Sequence, residues 1–352
     1  MVLERLSLVG FRNLSEMEIM LAPERNLISG VNGAGKTNLL EAVYYLAMGK
    51  SFRKAGDGEL LQFNARFFRL EGTAQHRAVL FYSADEKKIM LDGRPIRKLS
   101  DFIGWMPIVI FSFDDIWLVR GEPRQRRDYL DTAIAKMSRH YLVNLVEYRR
   151  ILRQRNRILE EIRDHKISWD DKAGRLLESF DESLVLYGNE VYEERKTHFG
   201  GLAQGVADFC AQMDLPQISI AYRASVPDQL MTAEFLQKRR AQEIACGRTV
   251  FGPHRDELLV LKAGRLLKTF GSEGEQRVVA LAMRLAEMTS LERARREASI
   301  KLLDEAVSEL DRRRLASFLE NLQGQVLFAT TREINDFGKH FFITDGFVKE
   351  TN

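Results

Sequence analysis

Gly30-Val31-Asn32-Gly33-Ala34-Gly35-Lys36-Thr37 reads as a G-x-x-x-x-G-K-T loop, and both of its flanks support that reading. Before it, Asn26-Leu27-Ile28-Ser29 has the character of a short buried strand; after it, Asn38 to Leu46 carries an apolar stripe at helical spacing. A glycine-rich turn between strand and helix presents backbone N–H groups at a helix N-terminus, where phosphate oxygens bind. In such a loop Lys36 reaches the β- and γ-phosphates and the Thr37 hydroxyl takes a position on Mg²⁺. All eight residues, Gly30, Val31, Asn32, Gly33, Ala34, Gly35, Lys36 and Thr37, are therefore expected to contact a nucleotide.

A loop of this kind needs acidic partners, and the nearest suitable pair is far away. Lys301-Leu302-Leu303-Asp304-Glu305 is an apolar strand leading to two carboxylates, 268 positions beyond Lys36 when measured to Asp304. Asp304 is the candidate for Mg²⁺ and Glu305 the candidate general base that activates a water. Lys36, Asp304 and Glu305 are thus the expected catalytic set, with Thr37 and Asp304 on the metal. A kinase or GTPase of ordinary size completes its site within one compact domain, so this separation implies a sizeable insertion.

Around the acidic pair lie two further motifs. Upstream, Gly271-Ser272-Glu273-Gly274-Glu275-Gln276-Arg277 precedes a helical run from Val278 to Met288; downstream stands Ser308-Glu309-Leu310-Asp311. These resemble the signature motif and the D-loop of ABC-type ATPases. That resemblance implies ATP as the nucleotide. It also implies that Ser272 and Gly274 close over the γ-phosphate held by a second copy, so that ATP joins two protomers. Ser272 is equally suited to be a helix N-cap with Glu275 completing a capping box, and the two roles are compatible.

With 352 residues the chain exceeds what one core comfortably serves, and 45% hydrophobic with 29% charged residues describes a globular protein of two domains. The longest apolar stretches, such as Met106 to Phe111, are too short to span a bilayer, and Glu4 and Arg5 interrupt any leader pattern. The expectation is a cytoplasmic protein without a membrane partner. Cys210 and Cys246 lack metal-ligand spacing and read as reduced thiols. The net charge of +3 decides little, but its distribution is uneven. Arg120 to Arg163 holds twelve Lys or Arg against six Asp or Glu, whereas Asp164 to Lys196 holds five against nine. The basic stretch suits either DNA phosphates or a solvated helix face.

Strand-like alternation covers Val2 to Phe11, Ile19 to Ile28 and Phe67 to Leu91, the last ending in a hairpin signal at Asp92-Gly93. From Leu130 through Ile134, Met137, Tyr141, Leu145, Tyr148 and Leu152 the spacing becomes helical and continues to roughly Ala245, with breaks expected near Gly200-Gly201 and Pro216. Strands return with Leu258 to Leu261. The expected architecture is an α/β (α+β) P-loop ABC-type ATPase head with an inserted all-helical second domain. Its parts are residues 1–118 and 247–352 for the head and 119–246 for the insert.

Four segments sharpen the resemblance: Gly10-Phe11-Arg12-Asn13; Thr37 to Ala42; Phe111-Ser112-Phe113-Asp114-Asp115 leading to Arg126 through Asp131; and Gly252-Pro253-His254-Arg255-Asp256-Glu257-Leu258. Together the motifs resemble the RecF family of bacterial recombination mediators, relatives of the SMC ATPases, from end to end. The resemblance implies a weak DNA-stimulated ATPase whose ATP-dependent homodimer binds duplex DNA beside single-stranded gaps. It further implies help in loading recombinase, with RecO and RecR as partners, in repair, recombination and replication. Arg12 becomes an expected extra phosphate contact by analogy with SMC proteins. Glu275 replaces the family's usual Gln, and Glu305 replaces the Asp of many relatives, restoring an ABC-like Asp-Glu pair. No histidine follows the strand Val326 to Ala329, and Thr330 or Thr331 stands where transporters place a γ-phosphate sensor. Two other readings remain: an SMC-like structural DNA tether, for which the insert is short, and a P-loop phosphotransferase.

Overall fold

The computed structural model describes residues 1–168, 170–226, 230–305, 318–331 and 337–351. The D-loop motif Ser308 to Asp311 and the proline at 227 lie outside them. The chain divides into two compact units. One comprises Met1–Ile116, Asp208–Pro216 and Glu273–Asn352, and the other Trp117–Ala207 and Gln217–Ser272.

The first unit is built on a six-stranded sheet whose order is Phe347–Thr351, Lys339–Thr344, Arg25–Ser29, Val326–Thr330, Ile300–Asp304, Ile108–Ser112. All neighbours are parallel except the edge hairpin of Lys339–Thr344 with Phe347–Thr351. Its strands Ile108–Ser112, Ile300–Asp304 and Val326–Thr330 are buried along their whole length. This is why they read as continuous apolar runs instead of alternating ones. The sheet therefore draws one strand from the start of the chain, one from its first third and four from its end.

A second six-stranded sheet in this unit is antiparallel throughout, in the order Met17–Met20, Arg5–Val9, Phe67–Thr73, Arg77–Ser83, Lys87–Leu91, Arg94–Pro95. The expected hairpin forms at Asp92-Gly93, where Leu91 pairs with Arg94. Between the sheets lies the helix Lys36–Met48, of whose thirteen residues all but Thr37 and Asn38 are buried. A helix apolar on every side is one covered on every side, and Leu39, Leu40, Val43 and Leu46 share one core with strand residues of both sheets.

The second unit contains the helices Pro123–Met137, Arg139–Arg163 and Ala233–Cys246, and most of Asp171–Gln212. Ser138 separates the first two, and its hydroxyl accepts the Tyr141 N–H as the N-cap of the second. The apolar spacing that reads as one helical run is thus two helices. The break expected at Gly200-Gly201 is absent: the helix Asp171–Gln212 passes through both glycines, which face open space. Glycine costs an exposed helix only about 1 kcal/mol relative to alanine, too little to interrupt forty-two residues.

The insert is also not all-helical. Ile218–Arg223, Glu257–Lys262 and Arg265–Leu266 form a three-stranded antiparallel sheet within the second unit. Because Glu257–Lys262 pairs with Ile218–Arg223, the return to the first unit comes at Glu273, later than the 247 read from the sequence. A returning strand signals a sheet, but not which one.

Candidate nucleotide-binding site

Sheet register builds the site. Asp304 lies beside Ala329, which lies beside Ile28, so the Asp304 carboxylate stands at the same sheet edge as the loop that leaves Ser29. This is the carboxyl end of parallel strands, where α/β sheets place their ligands. The Thr37 hydroxyl donates to Asp304 Oδ1 at 2.7 Å, closing the gap between the two halves of the sequence motif. Lys36 Nζ donates to the carbonyls of Gly30 at 2.9 Å and Val31 at 3.1 Å, and stands 3.9 Å from the Glu305 carboxylate. Lys36 is buried, whereas the Glu305 side chain is 41% exposed and has a solvent path.

Burial pushes the Asp304 carboxyl up to about 6; the Glu305 charge adds to the effect, while Thr37, Arg53 and Lys36 oppose it. A carboxylate destabilised this way gains from a divalent cation. The Thr37 hydroxyl and Asp304 carboxylate are hard oxygen donors of the kind Mg²⁺ takes alongside phosphate oxygens. Among the described residues no cluster of three or more His, Cys, Asp or Glu forms a separate metal cage. The residues present fit Mg²⁺ carried with a nucleotide better than a resident structural ion.

Two supports of the loop were not assigned from the sequence. Asn13 Nδ2 donates to the Gly33 carbonyl at 3.1 Å, and Asn38 Nδ2 donates to Asn13 Oδ1 at 2.7 Å. Asn13 thereby ties the crest of the loop to the helix that follows it. Gly35 has φ 121°, and a Cβ there would lie 2.7 Å from Leu14 and 3.0 Å from Asn13 Oδ1. Gly346, in the turn of the terminal hairpin, donates its N–H to the Ala34 carbonyl at 3.2 Å and accepts from Ser15 N–H at 2.9 Å. A Cβ on Gly346 would run into the Asn13 carbonyl. The signal for Asn13 lay in the segment Gly10 to Asn13; Gly346 had none beyond its Asp-Gly turn.

Arg12 is placed differently from a free phosphate ligand. Its guanidinium grips the buried Glu41 carboxylate through Nε at 2.9 Å and Nη2 at 3.0 Å, and Nη1 donates to the Glu59 carbonyl at 2.9 Å. Both partners hold it against the flank of the P-loop helix. Ser272 and Gly274 are exposed at the start of the helix Glu273–Arg295. That helix is fixed to the strand end carrying Phe113-Asp114-Asp115. Arg284 donates to Asp115 Oδ1 through Nε at 2.9 Å and Nη2 at 2.7 Å, and Arg277 lies 4.4 Å over the Phe113 ring. Burial raises the Asp115 carboxyl, opposed by the Arg284 charge. Thr330 is buried in its strand and Thr331 is exposed just beyond it.

The remaining marker segments meet inside the second unit. Arg126 donates to Glu257 at 2.7 Å and Arg127 to the Asp256 carbonyl at 3.0 Å. Arg195, fully buried, joins Asp131 at 2.7 Å and Asp256 at 3.2 Å. Burial alone would raise the Asp131 carboxyl, but Arg195 and Arg149 hold it below the usual range. His254 accepts the Tyr148 hydroxyl at Nδ1 at 2.7 Å and donates from Nε2 to the Thr249 carbonyl at 3.1 Å. These markers are the polar core of their unit, and His254 is a structural hydrogen-bonder.

A P-loop head completed by an acidic strand end and a helix-borne signature defines an ABC/SMC-type ATPase. The RecF/RecN/SMC N terminal domain model matches residues 2–335, and the chain belongs to the RecF family. DNA replication and repair protein RecF of Heliobacterium modesticaldum is 36% identical over 353 residues, covering 94% of this chain and 92% of that protein. The RecF protein of Halalkalibacterium halodurans is 35% identical over 353 residues, covering 95% of this chain and 94% of that one. A solved structure of the recombination mediator protein RecF-ATP in the RecFOR pathway superposes with a TM-score of 0.91 at 29% identity, covering 100% of this chain and 98% of that chain. Among the described residues no helix is long and apolar enough to cross a membrane.

Proposed function

We propose that this protein is an ATP-driven DNA-binding switch of replication and recombinational repair. ATP closes two protomers on duplex DNA near single-stranded gaps, slow hydrolysis releases them, and the bound state helps load recombinase together with RecO and RecR. The observation that carries this reading is the 2.7 Å bond between Thr37 and Asp304, which assembles one site from both ends of a RecF-family chain.

Within that site Lys36 neutralises the β- and γ-phosphates, and the loop N–H groups from Val31 to Thr37 hold their oxygens. Thr37 and Asp304 would hold Mg²⁺, which would supply charge neutralisation on the phosphates. Glu305, at the strand end and open to solvent, orients and deprotonates the attacking water. Ser272 and Gly274 of a second copy close the site over the γ-phosphate. Arg12 acts through Glu41, holding the P-loop helix in place.

Lys36→Ala is expected to abolish ATP binding and ATP-dependent dimerisation, read by nucleotide titration and light scattering. Glu305→Gln is expected to bind ATP normally and remain dimeric. Wild-type hydrolysis by that variant would remove Glu305 from the role of base, and a dimer formed by Lys36→Ala with ATP would sink the switch reading. ATPase activity stimulated by duplex DNA, and losing that stimulation steeply with salt, separates this function from a phosphotransferase.

A further inference from the structure

The basic stretch from Arg120 to Arg163 is largely consumed by its own unit. Arg126 pairs with Glu257, Arg149 with Asp131, Arg150 with Glu147, Arg155 with Asp181 and Glu243, and Arg157 with Glu161. Among the described residues, two short runs in the first unit carry positive charge that faces solvent as a group. They are Lys50-Ser51-Phe52-Arg53-Lys54, just after the P-loop helix, and Arg94-Pro95-Ile96-Arg97-Lys98, at the end of the antiparallel sheet. Together they hold six cations and no acid, and all six cations are exposed.

The fold brings the runs side by side. Gly49 packs where a Cβ would meet the Leu99 side chain, with Ile89 3.7 Å away. Lys87 Nζ donates to the Gly49 carbonyl at 2.9 Å, and the Ile96 N–H to the Ile89 carbonyl at 2.8 Å. From Gly49 the chain then returns along the helix, where Ser51 Oγ donates to Glu41 and Arg53 Nη1 to Asn38 Oδ1 at 3.1 Å. The nearby acids are already engaged: the buried Glu41 by Arg12 at 2.9 Å with Arg53 3.7 Å away, Asp57 by Lys87 at 2.9 Å, and Asp92 by His76 at 2.7 Å and the Arg77 N–H at 2.9 Å. The negative end of the P-loop helix explains a cation at Lys50. It does not explain Arg94, Arg97 and Lys98, which belong to the neighbouring sheet.

We propose that Lys50, Arg53 and Lys54 with Arg94, Arg97 and Lys98 form a docking surface for nucleic-acid phosphates, extending from the sheet edge to the flank of the nucleotide site. The inference rests on the DNA-binding reading and gives it a location. The surface has the dense, exposed positive charge that releases counterions from a phosphate backbone. The shared chemistry is the phosphodiester, whether duplex or single-stranded.

The test is fluorescence anisotropy of the full-length protein with ATP, using a labelled duplex and a single strand of equal length over a series of salt concentrations. Arg94→Gln/Arg97→Gln/Lys98→Gln touches neither the P-loop nor Asp304 and is expected to keep ATP binding. Its affinity for the preferred DNA should fall about tenfold or more at low salt, and the slope of log K against log salt should shrink by about two to three units. Arg150→Gln/Arg153→Gln/Arg157→Gln removes equal charge from the helical unit and should bind nearly as the wild type does. Loss confined to the single strand, or to the duplex, supports the surface and identifies its form of nucleic acid. Unchanged affinity and slope for both, with wild type binding normally, overturns the surface alone. Failure of wild type to bind either form removes the DNA reading along with it. Arg97→Glu is the second variant, and a melting temperature equal to wild type with unaltered DNA binding counts against the proposal in the same way.

Discussion

At the residue scale, the P-loop depends on small groups at fixed angles as much as on its lysine. Gly35 sits at φ 121° and ψ 6° against Leu14 and Asn13, so Gly35→Ala combines backbone strain with a clash. The strain alone is worth about 1 to 3 kcal/mol, and nucleotide titration should show ATP binding weakened by at least tenfold. Asn13→Ala should raise KM for ATP more than it lowers kcat, because Asn13 orders the loop without touching the reacting atoms. An equal fall in kcat with KM unchanged would refute that role. His254 supplies a pH prediction. Burial, helped by the charges of Arg255, Arg127 and Arg195, lowers its pKa to about 4 from the ordinary 6.5, although the Thr249 carbonyl opposes this. The unfolded chain therefore binds the extra proton first as pH falls. His254 contributes stability that is full above pH 6.5 and is lost between there and pH 4, up to about 3 kcal/mol. Urea melts of wild type and His254→Gln should converge across that window. That the lysine, threonine and two acids stand together was legible in the sequence, because residue type and motif spacing announce it. Asn13 and Gly346 were not legible as supports, since their partners are fixed by close approach across the fold.

At the scale of elements, two buried charge clusters hold helices in place. Arg155 is fully buried and divides its guanidinium among Asp181 at 2.7 Å, Glu243 at 2.6 Å and Thr249 at 2.7 Å, joining three elements of the second unit. Arg155→Ala leaves the buried Glu243 without its cation and Asp181 with Arg240 alone at 2.7 Å, and should cost about 3 to 5 kcal/mol in a denaturant melt. Removal of Arg284 should act differently, because its Asp115 partner orients the helix behind the signature motif. Arg284→Ala is expected to lower ATPase activity at saturating ATP while leaving nucleotide affinity near wild type. Lost affinity with intact turnover would argue against that role. Periodicity found these helices because burial of one face writes itself into three- and four-residue spacing. It joined Pro123–Met137 to Arg139–Arg163 because the apolar repeat continues in phase across Ser138, and only the cap reveals the break. It overrated Gly200-Gly201 for the reason that an exposed glycine pair weakens a long helix without ending it.

For the whole molecule, the proposed site is shared between two copies, and sharing is testable by mixing. Lys36→Ala disables the P-loop of its own protomer, while Ser272→Arg disables the surface offered to the other. Neither variant alone forms an intact site, but each mixed dimer has one of its two, so an equal mixture should recover activity that neither component has, up to about half that of the wild type. A mixture no more active than its components would show that Ser272 is not supplied in trans. The sequence disclosed the head and its large insertion because P-loop and acidic strand must meet whatever lies between them. It did not disclose that residues up to Ser272 stay with the insert, since the strand Glu257–Lys262 carries no mark of which sheet will claim it.

The order of the parallel sheet has a consequence for how the protein is made. Arg25–Ser29, which launches the P-loop, is flanked by Val326–Thr330 and Lys339–Thr344. On the ribosome that early strand has neither neighbour until the chain has been made past residue 326, while the second unit is already fully translated by Ser272. Nucleotide capture is thereby deferred until those later strands have emerged. A chain released early, even one carrying an intact P-loop, emerges without a completed pocket and is silent toward ATP.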